Sequence, residues 1–201
     1  MQRRSFINSL YSMQPNQLRN GVLLSFILII AATRVILSLD ESTAPLAGFS
    51  AVGAMALFGG AYFRNWKAFA LPLLALLISD LLIARFAYWG GEWTFLYEGA
   101  WVVYLAIAMM VVVGRYMMKR RTVANFLLSS VVIVLIHWIV TDLGVWLGGT
   151  MYPKTLAGFG ACLVAAIPFE QNFFIGTLVY GAIMFGAFEW VKLRFPRLSI
   201  A

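Results

Sequence analysis

The chain has 201 residues, 62% of them hydrophobic and only 11% charged, with 15 Lys and Arg against 8 Asp and Glu. A soluble fold of this length carries about a quarter charged residues, so the composition excludes a purely water-facing domain. The net charge of +7 does not point to nucleic acid, because the basic residues sit in short segments between apolar runs and form no solvated basic domain. A single cysteine, Cys162, excludes an internal disulfide, and with one histidine, His137, neither a metal centre nor a cofactor is expected.

Taken in chain order, residues 1–20 form a basic N-terminal segment. Its Arg3-Arg4-Ser5-Phe6 invites a twin-arginine export reading. The first apolar run, however, begins some fifteen residues later, is as long as a span and contains Arg34, so an uncleaved anchor is expected. Apolar segments then follow at 21–39, 46–63, 68–87, 95–118, 123–147 and 172–195. At 1.5 Å per residue the second reaches about 27 Å, marginal for a hydrocarbon core of about 30 Å. Runs such as Val131-Val132-Ile133-Val134-Leu135-Ile136 are apolar on every face, which excludes the in/out alternation of a spanning barrel. The expected fold is an all-α membrane bundle of about six helices over 21–195, with a short tail at 196–201.

Twelve basic residues fall on the side of the N-terminus if the spans alternate, against Lys154 alone on the other side. This bias puts both termini in the cytoplasm. Residues 148–171 hold Gly148, Gly149, Pro153, Gly158, Gly160 and Pro168. They read as an outer loop, with 157–167 as a helix of about 16 Å, long enough to lie in the interface or cap a cavity but too short to cross.

Charges inside the spans carry the functional signal. Arg34, Asp80, Arg85, Glu98, His137 and Asp142 lie within or at the ends of predicted spans, where a full charge costs at least about 2.5–3.5 kcal/mol near midplane. With the topology above, all six map to the outer half or near midplane. A cavity open to the exterior is the expectation, with the arginines offsetting the acids. Trp101 and Tyr104 share a face of the fourth span, and Trp138 shares one with Asp142 on the fifth, so flat rings stand beside carboxylates. An interfacial aromatic belt and a structural ion-pair network are the plainer explanations. Acids outnumber arginines among these groups, which leans towards a cationic or zwitterionic ligand. The second span carries Ala47, Ala51, Ala54, Ala56 and Gly60, small residues that allow another helix to approach closely, either within the bundle or from a membrane partner.

The stretch 48–61, Leu77-Ile78-Ser79-Asp80-Leu81, Gly144-Val145-Trp146, Met151 to Gly158 and Ala165-Ala166-Ile167-Pro168-Phe169 resembles a bacterial family of membrane transport proteins. That family is itself similar to the substrate-binding S components of energy-coupling factor (ECF) vitamin transporters. The resemblance implies six helices, a vitamin-like nutrient bound near the outer face, and an ATP-driven transport module or other membrane subunits as partners. The chain departs from the family pattern at Ala51, Asp142 and Thr177, and its first helix lacks an Ala-xxx-Ala docking pattern. No His-Glu-x-x-His or Gly-x-Ser-x-Gly is present, so an enzyme is not expected. An uptake protein for a small organic nutrient is the leading expectation. An accessory subunit of a larger membrane complex is the alternative.

Overall fold

The computed structural model describes residues 15–38, 49–63, 65–88 and 99–198. All regular structure among them is helical: α1 (Pro15–Ser38), α2 (Val52–Tyr62), α3 (Lys67–Ile83), α4 (Ala100–Met117), α5 (Val123–Gly148) and α6 (Leu156–Arg194). A π-helical turn, Ala84–Tyr88, extends α3, and a 3-10 turn, Pro196–Leu198, follows α6 and packs back on α1.

Five of these helices are long and apolar enough to cross a membrane. Their outward faces are what lipid requires. Ile29 on α1, Ile78 on α3, Leu105 on α4, Val131 on α5 and Ile183 on α6 are all exposed, an apolar girdle too extensive for water. Helices satisfy their own backbone groups, as hydrocarbon demands.

Three expected boundaries are corrected. The second span shrinks to α2, whose 11 residues extend only about 16 Å, half a bilayer. Ten of those residues are buried, because a helix apolar on all sides belongs inside a bundle rather than at its rim. The separate outer cap and sixth span are one continuous helix, α6, of 39 residues. Pro168 lies inside it, its missing N–H leaving the Val164 carbonyl without an intrahelical donor. Glycine and proline density misled here, since a packed membrane helix tolerates proline that would end a solvated one. Finally, α1 begins at Pro15 rather than residue 21.

The small-residue surface of α2 is used within the molecule. Ala51, Ala54 and Ala56 are 1% exposed or less, and Gly60 is buried, so no separate partner reaches them; Ala47 lies outside the described residues. A Cβ on Gly60 would fall 2.7 Å from the Arg115 amide nitrogen, and one on Gly114 would fall 2.7 Å from the Leu57 carbonyl. The α2 and α4 backbones therefore touch directly at this crossing, as small residues permit.

Hydrogen bonds fix which ends lie together. The Arg19 Nη2 donates to the Tyr62 carbonyl at 2.7 Å, the Tyr62 hydroxyl donates to Glu189 Oε1 at 2.5 Å, and Lys192 pairs with Glu189 at 2.7 Å. The Arg121 guanidinium stands 4.6 Å from the Tyr62 ring centre. One end of the bundle thus gathers the start of α1, the end of α2, the start of α5 and the end of α6. At the other end, the Lys154 ammonium donates to the carbonyls of Trp146, Leu147 and Gly149, closing the last turn of α5 where the helix dipole is negative. The Trp146 indole donates to the Pro153 carbonyl at 2.8 Å, and Thr155 caps α6 by accepting from the Gly158 amide at 3.1 Å. A tight α5–α6 hairpin results.

Candidate functional site

Between the helices lies a cavity of about 180 Å³, roughly ten times what a single water needs. Its walls carry Arg34 from α1, Asp80 from α3, His137 from α5 and Glu170 from α6, with Phe169 and Phe173 as apolar surface. Two acid–base pairs meet there.

The first pair joins Arg34 and Asp80. Arg34 Nη2 stands 2.7 Å from Asp80 Oδ1, and Nη1 donates to Ser79 Oγ at 2.5 Å. Tyr104 from α4 donates its hydroxyl to Asp80 Oδ2 at 3.3 Å. Both carboxylate oxygens of Asp80 are therefore engaged. Ser79 passes the chain on to the Leu76 carbonyl at 2.8 Å, which anchors the guanidinium to the α3 backbone.

The second pair joins His137 Nδ1 and Glu170 Oε1 at 2.8 Å. With Glu170 ionised, Nδ1 must carry the proton, since a carboxylate only accepts. The imidazole lies nearly parallel to Phe173, ring centres 4.2 Å apart and planes 21° apart, so its orientation is set from two sides. Glu170 is 7% exposed, and its second oxygen, Oε2, has no hydrogen-bond partner among the described residues. An ionised oxygen left so is costly, by several kcal/mol in a dry interior.

Ser129 Oγ of α5 and Thr177 Oγ1 of α6 are likewise buried without partners among the described residues. Thr177 lies two turns from Glu170 towards the basic end. Gly53 of α2 faces this layer, where an added Cβ would meet Thr177 Oγ1, Phe173 at 3.1 Å and Ile133 at 3.2 Å.

Of the residues singled out from sequence, Arg34, Asp80 and His137 line the cavity, and Tyr104 reaches it through Asp80. The other described ones are not among its lining. Asp142 sits further along α5, 8% exposed, with Cys162 Sγ 3.5 Å from its Oδ1. Trp138 donates its indole N–H to the Leu163 carbonyl at 3.0 Å, tying α5 to α6. Trp101 is 71% exposed and faces outward, as an aromatic belt residue does. Arg85 lies in the π-helical turn with its guanidinium 5.6 Å from the Phe86 ring centre. Glu98 lies outside the described residues. Sequence reasoning missed Glu170, because it fell in the segment taken for a loop. A tight hairpin at 149–155 was the signal that could have found it, since it brings the middle of α5 beside Glu170.

Helices that meet lipid on their outer faces and enclose charged pairs define a multi-pass, all-α membrane protein. The chain belongs to the family of unknown function DUF6580, which it matches over residues 14–198, a stretch that takes in every helix described above. No curated protein and no solved structure matches the chain.

Proposed function

We propose that this chain is a bacterial inner-membrane uptake protein that binds a small organic nutrient in the Arg34–Asp80–His137–Glu170 cavity. The observation that carries the reading is the convergence of four ionisable side chains from four helices on one void. Ionisable groups are rare in spans and characteristically line substrate paths. A purely structural network would fill its own centre, since packing eliminates voids and unmade hydrogen bonds. Here the void persists beside a carboxylate oxygen with no hydrogen-bond partner among the described residues.

Orientation follows from charge. Lys67, Arg115, Lys119, Arg120, Arg121, Lys192 and Arg194 belong to the end that Tyr62 and Glu189 mark, and the positive-inside rule makes that end cytoplasmic. The cavity then opens towards the outer half, as in the S components that the sequence resembles. Any ATP-driven step comes from a partner, because the chain has no Gly-x-x-x-x-Gly-Lys-[Ser/Thr]. The small-residue face that favoured an accessory subunit is occupied within the bundle, which weakens that alternative.

Depletion of the growth medium tests the reading. Cells producing the chain should remove one small organic solute faster than cells producing equal amounts of a His137→Ala variant. Identical depletion profiles, with both proteins present in the membrane, would overturn it.

A further inference from the structure

The cavity is asymmetric in charge and in hydrogen bonding. Arg34 and Asp80 neutralise one another, and each Asp80 oxygen already accepts a hydrogen bond. Glu170 differs: one oxygen holds His137 and the other has no hydrogen-bond partner among the described residues. Its side chain is more than nine-tenths buried and belongs to the lining of the void, and Oε2 itself is shielded, so a ligand reaches it as the carboxylate turns towards the void. The charged or ionisable groups around it are His137 and, further along the same helix, Asp142 on α5, Asp80 on α3 and Arg34 on α1. Among the described residues that line the cavity, the acids Asp80 and Glu170 stand beside one guanidinium and one imidazole.

Resting on the uptake reading, we propose that the ligand class is a small protonated amine, whose ammonium group donates to Glu170 Oε2. The chemistry is complementary on each count. An ammonium supplies N–H donors to an acceptor that lacks one, and the resulting bond is charge-assisted. Phe169 and Phe173 present ring surface suited to a short alkyl body and to a cation nearby. A carboxylate ligand would instead meet Glu170 as a like charge, and the one guanidinium that lines the cavity among the described residues is already bound to Asp80 and Ser79.

The test uses n-butylammonium chloride as probe, with sodium butyrate and n-butanol as anionic and neutral compounds of the same chain length. Binding is followed by thermal unfolding and calorimetry of the detergent-purified chain at matched ionic strength. Butylammonium should stabilise the wild-type protein, and butyrate and butanol should not. Glu170→Gln should weaken butylammonium binding by about 10- to 150-fold, the range for a charged hydrogen bond. Glu170→Asp, which keeps the charge, should retain the preference for the cation, and it decides the matter should the glutamine variant not fold. Equal butylammonium binding by the wild type and Glu170→Gln overturns the assignment. So does stabilisation by butyrate alone, or by none of the three. A copurifying anionic solute seated in the cavity would also overturn the amine class while leaving the uptake reading intact.

Discussion

His137 on α5 and Glu170 on α6 meet at 2.8 Å in the middle of the bundle, although 33 residues separate them in the chain. The hairpin at 149–155 sets the antiparallel register that brings them together. Trp138 on Leu163, Cys162 on Asp142 and Trp146 on Pro153 repeat the register along the seam. Removing the imidazole leaves Glu170 buried with neither oxygen engaged. His137→Ala is therefore expected to lose about 3–5 kcal/mol of stability, the cost of stranding one member of a buried pair. Glu170→Leu combined with His137→Leu should recover much of that loss. Unfolding measurements on His137→Leu, Glu170→Leu and the double variant give the coupling, and additive losses would contradict it.

Asp80→Asn separates positioning from binding. Arg34 and Tyr104 already use both oxygens, so the variant should lose about 1.5–3 kcal/mol of stability by weakening charged hydrogen bonds. Its effect on ligand affinity should be smaller than that of Glu170→Gln. A loss of affinity larger than that of Glu170→Gln, in a fully stable Asp80→Asn protein, would return Asp80 to the centre of the site.

At the α2–α4 crossing, backbone touches backbone, and neither side can retreat without moving a helix. Gly60→Ala should destabilise the protein by about 1–3 kcal/mol, and Gly60→Leu should prevent assembly of the bundle. Melting curves in detergent check this. An unchanged melting temperature for Gly60→Ala would mean that α2 and α4 are further apart than described.

Much of this architecture was legible in sequence because lipid imposes a simple code. Long apolar runs set the spans, and the clustering of Arg and Lys separated the two ends. Arg34, Asp80 and His137 stood out because charge in hydrocarbon needs a reason. Legibility failed where helix length and chain direction depend on packing. Pro168 and the glycines of 148–160 read as a loop, yet Trp138 and Trp146 hold that stretch against α5. Once 156–171 was assigned outside the membrane, Glu170 could not be counted among the intramembrane acids. The small-residue face of α2 was visible, but what covers it was decided by Gly114 on a helix more than 50 residues away in the chain.

Topology has its own direct check. In a Cys162→Ser background, a cysteine replacing Lys154 should react with an impermeant thiol reagent added to intact cells, and one replacing Lys119 should not. The reverse pattern would invert the bundle and place the cavity towards the cytoplasm.

Native mass spectrometry of the chain purified without added ligand bears most directly on the central claim, that the cavity between Arg34, Asp80, His137 and Glu170 holds a small organic solute. The account predicts a bound species of low mass that is retained by the wild type and lost from Glu170→Gln. A wild-type protein that carries lipid alone and comigrates with a larger complex after mild extraction would contradict it, and would make the chain a subunit rather than an uptake protein.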